Sequence, residues 1–102
     1  MILSERNRCF LNFISSTAIS QLKSILKTLT QHQLQLLVEI IFNIIQGVIP
    51  ISGSVKKRLA KHSKAIRNVV VKGLTLKQRR TRLESISVII PVMIKSFFQY
   101  ES

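Results

Sequence analysis

Residues 31–46, QHQLQLLVEIIFNIIQ, constrain this chain more than any other stretch. Thr30 is a good N-cap for a helix over them, and Gly47 is its stop. Leu34, Leu37, Val38, Ile41, Ile44 and Ile45 form a broad apolar face, which Leu36, Ile40 and Phe42 widen. Gln35, Glu39, Asn43 and Gln46 leave only a narrow polar stripe. A helix apolar around most of its circumference must be buried on several sides. At 16 residues it would be about 24 Å long, enough for the central helix of a small bundle. The same surface could also serve a helix-to-helix contact in a homo-oligomer.

The rest of the chain supplies partners for that helix. Residues 1–28 read as helical. Phe10, Phe13, Ile14 and Thr17 form one spacing set, and Ile19, Leu22, Ile25, Leu26 and Leu29 form a second at intervals of three and four. The cluster Ser15, Ser16 and Thr17 marks a possible break into two short helices, with Thr17 as N-cap of the second. Residues 47–54 are a connector. Pro50 pushes Ile49 toward an extended backbone, Gly53 permits a turn, and Ser52 or Ser54 can cap the next helix. Val48, Ile49 and Ile51 pin this connector to the core, so no domain boundary falls there. The chain of 102 residues has room for one domain with a modest core. The expected fold is all-α, a small bundle of about four to five helices.

Charge divides the chain into three parts. Residues 1–53 are a hydrophobic helical body, 54–82 a basic segment, and 83–102 an apolar tail. The formal net charge is +12, and eleven of the sixteen Lys and Arg residues lie within 54–82, with no Asp or Glu among them. They are Lys56, Lys57, Arg58, Lys61, Lys64, Arg67, Lys72, Lys77, Arg79, Arg80 and Arg82. Residues 55–72 read as one amphipathic helix ending at Gly73. At about 100° per residue, Val55, Leu59, His62, Ile66, Val69 and Val70 share one side. Lys56, Lys57, Lys61, Lys64, Arg67 and Lys72 spread over the other, with Arg58 at the margin. Thr75 caps a further short helix over 76–84. Solvated helix faces normally mix signs, because like charges at i,i+4 destabilise one another. A block of one sign therefore predicts an external anion: nucleic acid, an anionic membrane or an acidic protein face.

Lys and Arg neutralise phosphates and release condensed counterions, so binding through the block should be salt-dependent and independent of sequence. Asn68 and Gln78 are the polar side chains placed to touch a base edge. No Phe, Tyr or Trp lies within 54–82, which argues against a base-stacking platform for single strands.

The tail, 86–100, repeats Ile86, Ile89, Ile90, Met93, Ile94, Phe97 and Phe98 at intervals of three and four. The plain reading is a last helix, bent at Pro91, that closes the bundle. The sharper readings are a membrane-active segment aided by the basic block at anionic lipid, or a tail that docks on a capsid or other protein. No run of about 20 apolar residues exists to span a bilayer, and the start of the chain lacks the order of a signal peptide.

No enzyme chemistry is legible. There is no Gly-rich phosphate loop, no zinc-ligand spacing, no paired carboxylates and no nucleophile with a base, so neither a catalytic residue nor a cofactor nor a metal site is expected. Glu39 reads as a capped, paired or solvent-edge carboxylate, His32 as packed near its helix start, and His62 as a boundary or core histidine. Cys9 is the sole cysteine and reads as a small, partly buried thiol, with an intermolecular disulfide as the alternative.

From about Leu36 to Arg82 the chain resembles a group of small proteins encoded in adintovirus and Polinton-type elements. There an apolar helix with a Glu leads to the turn N-I/L-x-x-G-x-I/V-P-I/L-S/T. Next come a helix H-K-x-x-I-R-x-L and a segment S/T-L-K-x-K/R-R/K. The matching residues are Glu39, Asn43, Ile44, Gly47, Ile49, Pro50, Ile51 and Ser52, then His62, Ile66 and Arg67, then Thr75, Leu76, Lys77, Arg79 and Arg80. Ser63 stands where that group commonly has Lys, and its Gly-Gly-Phe-Leu tail start is missing here. The basic-then-hydrophobic layout is similar to adenovirus core peptide precursors. The resemblance implies a structural protein of the virion core that condenses duplex DNA, found in the virion and host nucleus.

Overall fold

The computed structural model describes residues 3–101, and among them it contains seven α-helices and no strand. The excess over the expected four to five comes from two splits. The helical stretch expected over 1–28 divides into α1 (Glu5–Ser16) and α2 (Ile19–Leu26), and the single basic helix divides into α4 (Gly53–Ala60) and α5 (Ser63–Val69). The others are α3 (Gln31–Ile45), α6 (Leu76–Ser85) and α7 (Ile90–Glu101).

Helix α1 opens on Ser4, whose hydroxyl accepts from the Asn7 amide at 3.1 Å, with Glu5 in the first turn where the helix dipole favours an anion. The break falls where the hydroxyl cluster predicts it, but Thr17 has the opposite role. It is the C-cap of α1, and its Oγ1 donates to the Phe13 carbonyl at 2.6 Å. Ser15 and Ser16 both donate to the Asn12 carbonyl. All three hydroxyls bond back to the last turns of α1, and that of Thr17 reaches a carbonyl that the helix end leaves open, so they belong to the end of α1 and do not start α2.

Helix α3 is the central element. Thr30 and Gln33 form a capping box, with the Gln33 amide 3.2 Å from the Thr30 hydroxyl and the Thr30 amide 2.9 Å from the Gln33 side chain. At the other end Gly47 has φ 78°, the Val48 amide bonds the Asn43 carbonyl at 2.9 Å, and the Gly47 amide bonds Ile44 at 3.1 Å. That pair of bonds is the Schellman closure, and it needs a residue tolerant of positive φ. Leu34, Leu36, Leu37, Val38, Ile40, Ile41 and Ile44 are buried. Helices α5, α6 and α7 all pack on α3, α1 packs on α7, and α2 packs on α6.

The apolar tail is part of this core. Ile86 and Ile89 are buried in the turn before α7, and Ile90, Met93, Ile94 and Phe97 are buried along it. Pro91 lies in the first turn of α7, where its missing N–H leaves no bond unmade, so it starts the helix and does not bend it. Burying the four α7 side chains contributes about 6–12 kcal/mol of gross transfer free energy, comparable to the whole stability of a small domain. Arg8 on α1 forms a salt bridge with Glu101 at the end of α7, tying the first helix to the last. The hydrogen bond to Glu101 also raises the Arg8 pKa above its ordinary value. No helix among the described residues is long and apolar enough to cross a membrane.

Candidate nucleic-acid interface

The basic segment is divided between α4, α5, the loop after α5, and α6. Ser52 caps α4, accepting from the Val55 amide at 3.3 Å. Leu59 is the one buried residue of α4, whereas α5 buries both Ile66 and Val69. The expected straight helix is interrupted at Lys61 and His62, where His62 has φ −120° and ψ 17°. Leu59 before this corner and Ile66 and Val69 after it are all buried. The corner also takes Lys64 out of the helical row in which Lys57 and Lys61 stand four apart. Helix α5 ends at Val69, so Lys72 lies in a turn beside Gly73, whose φ is 82°.

Eight of the eleven cations are exposed: Lys56, Lys57, Arg58, Lys61, Lys64, Arg67, Lys72 and Lys77. None forms an ion pair among the described residues. Two carboxylates are paired elsewhere: Glu101 with Arg8, and Glu84 with Lys27 at 3.9 Å.

The other three cations are bonded within the fold. Arg80 Nη1 donates to the Leu26 and Lys27 carbonyls, each at 3.1 Å, at the open C-terminal end of α2. Arg82 Nη1 donates to the Asn68 carbonyl in the last turn of α5 at 2.8 Å. Arg79 Nη2 donates to Val71 in the loop at 2.9 Å. All three are half-buried. Carbonyls at a helix C-terminus carry partial negative charge and want donors, and a guanidinium supplies several in a fixed fork. Helix α6 therefore acts mainly as a bracket that joins α2 and α5. Gln78 is also committed, because its side chain closes the capping box with Thr75, with bonds of 2.9 and 3.1 Å. Asn68 is exposed.

The tail residues are placed differently from a contact surface. Ile86, Ile89, Ile90, Met93, Ile94 and Phe97 face the interior, and Phe98 is half-buried with its ring 5.8 Å from that of Phe97. A lipid or capsid contact through them would require α7 to leave α1 and α3.

Beside the cations lies a groove of about 470 Å³. One wall comes from α3, with Gln35, Glu39, Phe42 and Asn43; the other has Lys72 and Arg79, over a floor of Val38 and Val70. Phe42, expected in the core, is 46% exposed. Glu39 forms no ion pair among the described residues, and Arg79 Nε is buried without a hydrogen-bond partner there. Only the polar stripe of α3 hints at this wall in the sequence; its meeting with Lys72 and Arg79 depends on the tertiary fold. His32 is exposed and His62 half-buried, and no group of three or more His, Cys, Asp or Glu side chains gathers among the described residues.

Neither a scan of protein-family models nor a search of curated proteins and solved structures returns a match to this chain.

Proposed function

We propose that this protein binds nucleic acid through its phosphate backbone, without sequence specificity, and condenses DNA as a structural protein. The observation that carries this reading is the display of eight exposed cations along α4, α5 and the segment up to Lys77, with no ion pair to any of them among the described residues. Phosphates placed along this surface relieve the repulsion between Lys57 and Lys61 and between Lys64 and Arg67, and they release counterions from the nucleic acid. Five of these cations sit on α4 and α5, anchored by Leu59, Ile66 and Val69, so binding orders little chain and keeps most of its electrostatic gain. Lysine is a point charge that suits a backbone contact more than a base edge, and six of the eight exposed cations are lysines. Duplex DNA in a virion core is the setting suggested by the resemblance over residues 36–82.

The direct test is the combined charge reversal of Lys57, Lys61 and Lys64 to Glu, assayed by gel shift on random-sequence duplex DNA. The expected result is loss of the shift with an unchanged helical circular dichroism spectrum. Retained binding by the well-folded variant would refute the assignment of the surface.

A further inference from the structure

The groove between α3 and the loop after α5 combines groups that a phosphate surface does not need. Phe42 presents an exposed ring beside Lys72 and Arg79, although no aromatic residue lies in the basic segment itself. Glu39 stands in the same groove with no cation paired to it among the described residues. With one carboxylate facing two cations beside an exposed ring, the groove suits a flat group that both donates and accepts hydrogen bonds. Arg79 lines the groove as well, with its Nη2 held by the Val71 carbonyl at 2.9 Å. The volume of about 470 Å³ falls within the range of small-ligand clefts, about 300–1,000 Å³.

We propose that this groove takes one unpaired nucleobase, with guanine the best fit, from a strand whose phosphates lie on the exposed cations. The inference rests on the nucleic-acid reading for those phosphates alone. Phe42 offers the stacking face, and Val38 and Val70 the apolar floor. An ionised carboxylate only accepts, and guanine presents two adjacent donors, N1–H and the N2 amine, on its Watson–Crick edge. Its O6 and N7 are acceptors that suit Arg79 and Lys72. Thymine offers one donor between two carbonyls, which a carboxylate repels. Base stacking on an aromatic ring tolerates any base, so Phe42 sets the affinity for an unpaired base and Glu39 sets the choice among bases.

The test uses the whole chain and fluorescence anisotropy with four duplexes of one length: fully paired, or carrying a single bulged guanine, thymine or abasic residue. The three bulged duplexes carry the same number of phosphates, so phosphate contacts alone bind them equally. The guanine bulge should bind at least about fivefold tighter than the abasic one, with thymine between. Phe42→Ala should bring guanine and abasic bulges level while leaving the paired duplex within about twofold of the wild type, which also shows that the variant is folded. Glu39→Gln should narrow the gap between guanine and thymine. Equal binding of guanine and abasic bulges by the wild-type protein overturns the inference and leaves phosphate binding intact. Failure to bind any of the four at low salt overturns both readings.

Discussion

Arg80 on α6 donates to the main-chain carbonyl of Leu26 at 3.1 Å, joining residues 54 positions apart. A second bond from the same nitrogen reaches Lys27 at 3.1 Å, so one basic side chain of the charge block closes the end of α2. Within one stretch of uniform charge, some side chains are therefore bonded into the fold and others are left exposed.

Arg80→Ala should expose that division. Loss of a charge-assisted bond at a half-buried site should cost about 1–2 kcal/mol, or a fall in Tm of roughly 4–15 °C for a domain of this size. Thermal melts followed by far-ultraviolet circular dichroism measure it. DNA affinity at low temperature should fall by about one phosphate contact at most, and Lys64→Ala should show the converse pattern.

Phe97, with 2% of its surface exposed, fills the interface of α7 with α1 and α3. Phe97→Ala should cost about 3–5 kcal/mol in urea denaturation, a large part of the stability available to a small domain. Tyr100, half-exposed on the same helix, should cost less than about 1 kcal/mol when truncated. Equal and small effects at both positions would mean that α7 does not belong to the core.

The two ends of α3 give a third comparison. Thr30→Ala removes the side-chain half of the capping box and should cost about 1 kcal/mol. Gly47→Ala should cost about 1–2 kcal/mol for backbone conformation alone, since a Cβ there meets nothing within 4 Å. Denaturant midpoints of the two variants check this, with the m-value unchanged.

Local signals in the sequence were enough to mark those ends. Thr30, Gly47 and Thr75 act through bonds to neighbours within a few residues, and a spacing rule captures such bonds. The apolar run of α3 likewise identifies the central helix, because nearly all-round hydrophobicity has no other stable use in water. Three features lay beyond that reach. Thr17 has the same hydroxyl whether it starts a helix or ends one, and only its bond to Phe13 decides. The corner at Lys61 and His62 depends on where Leu59 and Ile66 must meet the body. Arg80 and Arg82 read as members of a charge block until the carbonyls of Leu26 and Asn68 are brought to them. Phe42 is the same case in reverse: an apolar residue of a core helix that the fold leaves beside Lys72.

The proposed phosphate-binding surface comprises the eight exposed cations of α4, α5 and the segment up to Lys77. Its most direct test is the salt dependence of binding to random-sequence duplex DNA, measured by fluorescence anisotropy between about 50 and 300 mM monovalent salt. With about five to seven of the eight cations engaged, the log–log slope should be roughly −5 to −6, so affinity should fall by several thousandfold or more across that range. Absence of binding at the low-salt end, or an affinity that stays constant across the range, would contradict the account.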